Sequence, residues 1–246
     1  MIIGSNLLRF DSIQSTNTKA LMLIRNEDIP EGTVVFTGFQ TAGGGQAGNT
    51  WESEKGKNLL LSIILYPESV SPENQFIISM TISLGISDLI DKYHPGCKIK
   101  WPNDIYLNDK KIAGILIENS ISGSILKSSV AGIGLNINQV NFPPNIPNAG
   151  SLKQITGKEF DTEVLLKELL SELDKRYKLM LYGDRESIRR EYISKLYRLN
   201  EWSRYRSAGS AFKGRITNIS DEGHLIIENH GGKMMTFSFK EVDYLS

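Results

Sequence analysis

The sequence has one cysteine, three histidines and no long apolar run. Cys97 cannot form a disulfide within the chain, and the scattered histidines do not give the spacing of a zinc site or a serine-histidine-aspartate triad. The first residues have neither the charged start nor the apolar core of a secretory signal, and no run approaches the roughly 20 residues of a membrane helix. We therefore expect a cytoplasmic protein that does not insert into membranes.

The sequence also lacks an excess of charge of either sign. Its 28 lysines and arginines balance 28 aspartates and glutamates. A balanced chain has no global positive field to hold nucleic acid nonspecifically, so we do not expect DNA as a partner. The 246 residues suffice for one medium domain and a small one, because single cores stop growing efficiently at roughly 250 residues.

The apolar patterns predict an α+β domain followed by a small β domain. Strands are predicted at 6–10, 33–39, 58–65, 98–101, 105–107, 111–118 and 128–138. Helices are predicted after an N-cap at Ser15 or Thr16, from Pro72 to about Lys92, after Asp161, and over 187–196. Loops are predicted at the glycine-rich stretch 43–49 and the proline-bearing stretch 141–151.

The pattern changes after Trp202 to short strands at 211–219, 224–228 and 233–239, separated by glycine-bearing turns. Such strands predict a small β-barrel of about 45 residues. We therefore divide the chain into a domain over residues 1–198 and a C-terminal domain over 199–246.

The glycine-rich stretch is a candidate anion site. Gly43, Gly44, Gly45 and Gly48 would let backbone N–H groups approach a phosphate or carboxylate closely, because no Cβ stands in the way. A flexible surface loop is the alternative. Neither the dinucleotide-binding nor the P-loop pattern is present in its proper context, so the stretch alone decides nothing.

Lys100 and Lys111 flank a predicted hairpin that turns at Asn108-Asp109, so both could approach one pocket. Two cations suit a polyphosphate and a carboxylate, and a lysine can stabilise the charge that develops when a carboxylate oxygen attacks an α-phosphate. For either lysine, a solvated surface charge is the alternative.

Asparagine, aspartate and tryptophan side chains nearby also have two interpretations. Asn103 and Asp104 could bind a metal or a polar ligand, or form an ordinary turn. Asn136 could reach Mg²⁺ or adenine, or cap the end of its strand. Trp51 and Trp101 could stack on a base or fill the core.

Several motifs occur in an order that resembles a known family. They are Ser15-Thr16-Asn17, Gln40-Thr41-Ala42-Gly43, Trp51, Lys-Trp-Pro-Asn-Asp at 100–104, Lys-Ile-Ala-Gly-Ile-Leu at 111–116 and Gly-Ile-Gly-Leu-Asn at 132–136. Together they resemble a biotin protein ligase (biotin-[acetyl-CoA-carboxylase] ligase), over nearly the whole chain. Only 14 residues precede Ser15, so we expect a form without the N-terminal DNA-binding domain that some members carry.

The resemblance implies a mixed β-sheet packed with helices, of the class II synthetase-like biotin and lipoate ligase fold, plus a small SH3-like C-terminal barrel. It also implies two half-reactions. Biotin and ATP, with Mg²⁺, give biotinyl-5'-AMP and pyrophosphate, and a lysine of a biotin carboxyl carrier protein, part of a biotin-dependent carboxylase, then takes the biotinyl group. No structural metal site is expected.

The resemblance assigns roles to individual positions. The implied biotin-binding residues are Ser15, Thr16, Asn17, Gln40, Gly43, Gly44, Gly45, Gln46, Lys111 and Gly114. The implied ATP- and adenylate-binding residues are Trp51, Asn103, Lys111 and Asn136. Lys111 would bind the carboxylate of biotin, and Lys100 and Asp104 would join it as catalytic residues that position phosphate and the incoming lysine.

One stretch departs from the family pattern. The loop of the family usually carries arginines, but residues 43–49 contain none, and Gly44 and Ala47 stand where they are expected. Neutralisation of phosphate would then depend on Lys100, Lys111 and Mg²⁺, with Lys55 or Lys57 as a further candidate. We expect adenylate to form more slowly, or to leave more readily, than in a typical member.

Two other functions stay open at this point. A lipoate or octanoate protein ligase or transferase would share the fold, although the polar Ser15, Thr16 and Gln40 suit a ureido ring better than an apolar chain. The second is a biotin- or adenylate-binding protein whose loop has lost catalytic competence. The edges of an open sheet could also support a homodimer.

Overall fold

The computed structural model describes residues 1–144, 146 and 148–245, and for Ala47 the backbone alone. Two positions of the predicted proline-bearing loop, 145 and 147, therefore lie outside the described residues. The side chain of Ala47, where the family pattern has an arginine, also lies outside them. The described residues form two sheets. None of the helices in these ranges is long and apolar enough to cross a membrane.

The larger sheet has seven strands. They are β1 (Leu7–Phe10), β2 (Val34–Thr37), β3 (Leu59–Leu65), β4 (Lys98–Lys100), β5 (Asp104–Leu107), β6 (Lys110–Ser122) and β7 (Ile125–Leu135). Their order is β1-β2-β3-β7-β6-β5-β4, with β1 and β2 parallel and the other pairs antiparallel. One edge of the sheet, at β4, is covered by a bridge between Ile99 and Leu196.

Helices cover both faces of this sheet. They are α1 (Thr16–Asn26), α2 (Phe76–Tyr93), α3 (Leu152–Thr156), α4 (Thr162–Tyr182) and α5 (Arg185–Ser194). A small apolar cluster packs α1 against one face, and the large core packs α2, α4 and α5 against the other. β3 is buried along its whole length, which explains why it is apolar on both faces except at Ser62.

Helix starts follow side-chain capping. Ser15 is the N-cap of α1, and its hydroxyl accepts from the N–H of Thr18. Asp161 caps α4 by accepting from the N–H groups of Glu163 and Val164. Both N-caps were predicted from the sequence. The cap of α1 matters for the site, because it fixes the residues that begin that helix.

The second sheet has five strands. They are β8 (Ser203–Ser207), β9 (Ser210–Ile219), β10 (Leu225–Asn229), β11 (Met234–Phe237) and β12 (Asp243–Tyr244), in the order β11-β10-β9-β8-β12. All of its pairs are antiparallel. Closure of this sheet into a barrel stays a prediction, as does the boundary between residues 198 and 199. The sheet meets the larger unit where the indole N–H of Trp101 donates to the carbonyl oxygen of Gly223, 2.8 Å away.

Several predicted elements need correction. The α-helix predicted from Pro72 begins at Phe76, after a 3₁₀ turn over Pro72–Asn74. The strand predicted at 128–138 is Ile125–Leu135, because β6 and β7 extend into a solvent-exposed hairpin whose serines hide the strand pattern. The predicted glycine loop contains a 3₁₀ turn at Gln46–Gly48. The sequence did not predict α3, β8 or β12.

Candidate active site

A cavity of about 460 Å³ including its open mouth, here named cavity A, opens above β6 and β7 beside the start of α1. It is lined by Ser15, Thr16, Asn17, Gln40, Gly44, Gly45, Gln46, Trp51, Asn103, Lys111, Gly114, Ile115, Leu116, Gly132, Ile133 and Gly134. Nine of the predicted biotin-binding positions therefore lie together. Gly43 is the exception, since it is not among the described lining residues of this cavity.

Polar groups crowd one end of cavity A. The backbone N–H and the hydroxyl of Thr16 donate to Oε1 of Gln40 at 2.7 and 3.0 Å. Ser62 Oγ lies 2.7 Å from Thr16 Oγ1 and 2.5 Å from Asn17 Oδ1. Asn17 Oδ1 is an acceptor only, so the single proton of Ser62 goes to it. The three side chains of Thr16, Asn17 and Ser62 are buried, which makes this network rigid.

Asn17 is the central residue of this network. Its Nδ2 donates to the carbonyl oxygen of Leu116 at 3.2 Å and to Oε2 of Glu118 at 2.7 Å. Gly132 provides the space for it, because a Cβ built on Gly132 would stand 2.2 Å from Asn17 Oδ1. Ser62 is visible in the sequence as a lone hydroxyl in an apolar strand, but its contact with Asn17 depends on pairing between distant segments.

The middle of cavity A has an apolar floor. Gly114 and Gly134 are cross-strand partners on β6 and β7. The Trp51 ring lies on them, since a Cβ on Gly134 would be 2.4 Å from Trp51 Cε2 and one on Gly114 would be 2.8 Å from Cζ3. Two glycines at one rung of the sheet therefore create a flat surface for the indole. Its Nε1 is buried and has no hydrogen-bond partner among the described residues.

Lys111 stands at the other end of cavity A. Its ammonium nitrogen is 2.7 Å from Oδ1 of Asp104 and 5.8 Å from the centre of the Trp51 ring. The two charged groups are close enough for an ion pair, but they are not aligned as a hydrogen bond: the same Oδ1 has no aligned donor among the described residues. The Lys111 side chain is 31 % exposed, so the ammonium remains accessible to a ligand.

A second cavity, cavity B, adjoins the first and has a volume of about 1000 Å³ including its open mouth. It is lined by Asn49, Thr50, Trp51, Glu52, Lys111, Asn136, Phe142, Ile146 and Ala149. Trp51 and Lys111 line both cavities. Asn136 donates through Nδ2 to the carbonyl oxygen of Gly150 at 3.0 Å, while its Oδ1 is buried without a partner among the described residues.

The sequence missed the contribution of Phe142 and Ile146 to cavity B. Both belong to the predicted surface loop at 141–151. The loop reaches the site because its end pairs with β6: the N–H of Lys111 donates to the carbonyl oxygen of Asn148 at 2.7 Å, and the N–H of Gly150 donates to that of Lys111 at 2.9 Å. No local sequence pattern predicts this pairing.

Lys100 lies apart from both cavities. Its ammonium nitrogen is 5.2 Å from the ring centre of Tyr106 and 4.8 Å from that of Tyr244, in the second sheet. Burial lowers the pKa of Lys100, against the opposing effect of Asp104. β5 separates β4 from β6, so the two lysines of the motif occupy different surroundings. Neither Lys100 nor Asp104 is among the described lining residues of cavity A or B.

Asn103 closes one side of cavity A. Its Nδ2 donates to the carbonyl oxygen of Ile115 at 2.7 Å, and the N–H of Ile115 donates back to its carbonyl oxygen at 3.0 Å. These two bonds fix the segment before Asp104 to the edge of β6. Among the described residues, no group of three histidine, cysteine, aspartate or glutamate side chains could hold a metal ion.

Comparisons with known proteins agree with the geometry. The family model for the biotin/lipoate A/B protein ligase family matches residues 9–136. The bifunctional ligase/repressor BirA of Bacillus subtilis is 31% identical over 243 residues, which covers 96% of this chain and 74% of that protein. The biotin--[acetyl-CoA-carboxylase] ligase of Paracoccus denitrificans is 29% identical over 240 residues, covering 90% of this chain and 93% of that one.

A solved structure shows the same fold. The biotin protein ligase from Aquifex aeolicus in complex with biotin and ATP superposes with a TM-score of 0.81 at 24% identity, covering 98% of this chain and 100% of that chain. The predicted fold class, a mixed sheet packed with helices and followed by a small β unit, is confirmed. The chain belongs to the biotin/lipoate A/B protein ligase family, and its similarity within that family is to the biotin protein ligases.

Proposed function

We propose that the chain is an ATP-dependent biotin protein ligase, which joins biotin to AMP and then transfers it to a lysine of a biotin carboxyl carrier protein. The observation that carries this proposal is that cavities A and B meet at Lys111 and Trp51. Adenylation needs a carboxylate and an α-phosphate side by side next to a positive charge, and this is the place where two separate cavities share one cation.

The lining of cavity A supports biotin as its ligand. The buried network of Thr16, Asn17 and Gln40 offers donors and acceptors for the ureido group of biotin. Ser15 adds another donor. Its hydroxyl oxygen accepts from the N–H of Thr18, and its own proton has no acceptor among the described residues. The floor beside Trp51 suits the thiophane ring and alkyl chain, and Lys111 suits the carboxylate.

In the first half-reaction, a carboxylate oxygen of biotin attacks the α-phosphorus of ATP. The new bond is O–P, and the bond that breaks joins the α-phosphorus to the oxygen of pyrophosphate. Negative charge increases on the α-phosphate oxygens as the bond forms, and Lys111 is the cation placed to stabilise it. The Asp104 carboxylate lies 2.7 Å from the Lys111 ammonium and balances its charge before ATP binds.

The residues of cavity B fit Mg²⁺ arriving with ATP. Asn136 has a buried Oδ1 without a partner among the described residues, and amide oxygens are ligands that Mg²⁺ accepts. Asn136 would hold the ion together with the phosphates of ATP, and the bound ion would neutralise part of the phosphate charge. Phe142 and Ile146 provide apolar surface for the adenine in the same cavity.

In the second half-reaction, the neutral amine of the carrier lysine attacks the acyl carbon of biotinyl-5'-AMP. A C–N bond forms, the C–O bond to the AMP phosphate breaks, and the amine proton is lost. The products are the biotinylated carrier and AMP. The location of this chemistry in the cytoplasm and assembly into a homodimer stay predictions.

The test is transfer of biotin to a purified carboxyl carrier domain in the presence of MgATP. We expect pyrophosphate release that depends on biotin, followed by biotinylated carrier detected by mass spectrometry. Lipoate and octanoate, supplied in place of biotin, serve as matched alternatives. Preference for lipoate would contradict the biotin assignment, and tight biotin binding without pyrophosphate release would make the chain a binding protein.

A further inference from the structure

Cavity B has two walls that come from distant parts of the chain. One wall is the segment before β3, which carries Trp51 and Glu52, and the other is the loop after β7, which carries Phe142. The two strands pair as neighbours up to Leu59 and Leu135, and their chains separate beyond that pair. The contacts that join the walls past the end of the sheet therefore determine the shape of the cavity.

A buried pair of side-chain amides lies where the two walls separate. Asn58 and Gln139, here named the amide pair, are both 3% exposed. They contact each other, since Nδ2 of Asn58 donates to Oε1 of Gln139 at 2.6 Å. Neither is among the described lining residues of cavity A or cavity B. The amide pair therefore lies behind the surfaces that would touch biotin and ATP.

Gln139 connects the two walls. Its Oε1 also accepts from the backbone N–H of Glu54 at 3.0 Å, and its Nε2 donates to the backbone carbonyl oxygen of Asn141 at 2.8 Å. A backbone N–H can only donate and a carbonyl oxygen can only accept, so these contacts fix which end of the amide faces each wall. Glu54 follows Glu52 by two residues, and Asn141 directly precedes Phe142. One planar group thus sets the separation of the walls.

Asn58 holds Gln139 to the end of the sheet. Its Oδ1 accepts from the backbone N–H of Ile137 at 2.9 Å, just past the end of β7. Its Nδ2 has two hydrogens, and the one that does not go to Gln139 goes to Oγ of Ser53 at 2.8 Å. Both amide hydrogens and the amide oxygen of Asn58 therefore have partners, and a buried polar network with its partners in place is rigid.

The loop after β7 has further attachments, but these lead elsewhere. Its far end pairs with Lys111 on β6 through Asn148 and Gly150. Near its start, the exposed Gln154 donates to the carbonyl oxygen of Val140 at 2.6 Å and so ties the loop to α3. The amide pair differs from these contacts because it joins the loop to the wall that carries Trp51.

We propose that Asn58 and Gln139 are positioning residues for ATP, which hold the two walls of cavity B at the separation that the nucleotide needs. The inference rests on the proposed function, which assigns cavity B to ATP. A nucleotide gains from contacts on both walls only as far as the walls are already in place, because ordering them on binding would cost part of the binding free energy.

Biotin binding should be independent of the amide pair. The backbone N–H of Trp51 donates to the carbonyl oxygen of Gly43 at 2.8 Å, and the Trp51 ring lies on two glycines of the sheet. These contacts hold the wall that cavity A shares with cavity B without help from Gln139. A positioning role of the amide pair should therefore appear at ATP and not at biotin.

The experiment replaces each amide by an apolar side chain of similar size in the full chain, as Gln139→Met and Asn58→Leu. The matched control is Asn138→Leu, next to Gln139. Asn138 is also buried and its amide makes two hydrogen bonds, but both go to the backbone of Phe160, which is not among the described lining residues of either cavity. All three variants lose a buried amide, so the connection between the walls is what distinguishes them.

Biotin affinity is measured by isothermal titration without nucleotide, and pyrophosphate release is then measured over a range of MgATP at saturating biotin. We expect Gln139→Met and Asn58→Leu to raise the KM for ATP at least about fivefold, with kcat and the Kd of biotin within about twofold of the wild type, the pattern of a binding interaction equally strong in ground and transition states. Asn138→Leu should match the wild type in all three quantities.

If one variant of the amide pair fails to fold, which loss of biotin binding would reveal, the other decides. Loss of biotin binding by both would overturn the positioning role, since the pair would then serve the fold as a whole. An unchanged KM for ATP in a variant that binds biotin normally would also overturn it, as would a fall in kcat alone or the same rise in KM in Asn138→Leu. Absence of pyrophosphate release from the wild type would instead refute the proposed function.

Discussion

Gly132→Ala should weaken biotin binding by displacing Asn17. The glycine lies opposite Ser62 on β3 and Leu116 on β6. An added Cβ would stand 2.2 Å from Oδ1 and 2.9 Å from Cγ of Asn17, distances that real contacts do not reach. The amide is 5% exposed, so it has little room to move without leaving its hydrogen bonds.

The size of the effect follows from those bonds. Asn17 donates to Leu116 and Glu118 and accepts from Ser62. A displaced amide either leaves these groups unpaired or enters cavity A, where it excludes ligand. A hydrogen bond that the displaced amide can no longer make to biotin leaves a polar group unpaired in the complex, at a cost of about 1 to 3 kcal/mol, which corresponds to biotin binding weakened by about fivefold to somewhat over a hundredfold.

The assay is isothermal titration with biotin, together with pyrophosphate release. Gly44→Ala is the matched control, because it adds the same methyl group to the same cavity at 3.6 Å from Leu116 Cδ2, an ordinary contact. We expect Gly44→Ala to bind biotin like the wild type. Unchanged affinity in Gly132→Ala, or equal loss in both variants, would refute the role given to Asn17.

Three further predictions concern charge. Lys111→Gln should lower the rate of adenylate formation by about 10² to 10³, the loss typical of removing one group that stabilises a charged transition state, whereas Lys110→Gln, an exposed neighbour, should not; equal rates in pyrophosphate-release assays would contradict this. Gly44→Arg should speed adenylate formation or slow its release, because the position has room for a side chain and lies on cavity A; single-turnover rates equal to the wild type would show that the arginine-free loop has no cost. Arg176 hydrogen-bonds Glu191 and holds the pKa of that carboxyl below its ordinary value, against burial. This pair therefore stabilises the fold above the ordinary glutamate pKa of about 4.3, and the contribution is lost as pH falls through the lowered value. Arg176→Met should reduce the free energy of unfolding at pH 7 by about 1 to 3 kcal/mol and flatten its acid dependence in urea titrations; an unchanged acid slope would contradict this.

Local sequence signals predicted the parts of the fold that depend on neighbours in the chain. The cap at Ser15, the cap at Asp161 and the buried strand around Ser62 all have short-range causes. The boundaries failed where solvent exposure hid the pattern, as in the hairpin that joins β6 and β7. Both strands carry polar residues where the hairpin is exposed to solvent, so the apolar alternation disappears although the backbone pairing continues.

The site could be predicted as a set of residues but not as an arrangement. Order along the chain brought Gln40, Trp51 and Lys111 to attention, yet it could not show that Lys111 belongs to two cavities and Lys100 to neither. That difference comes from strand order: β5 stands between the strands that carry the two lysines. The role of Gly114 and Gly134 likewise depends on pairing, since the two glycines make room for the Trp51 ring only as cross-strand partners.

The contacts of Lys100 connect the second sheet to the larger unit. Tyr244 is on β12, and its ring lies 4.8 Å from the Lys100 ammonium, which Tyr106 contacts from β5. Cation–π contacts of this kind hold a lysine more firmly when it is desolvated, and Lys100 is half-buried. Phe239 of the second sheet meanwhile packs on Trp101 with ring centres 5.3 Å apart. Contacts to Tyr244 and Phe239 therefore hold the segment 100–104 against the second sheet at two points. Loosening the second sheet should therefore displace this segment, whose Asn103 closes one side of cavity A.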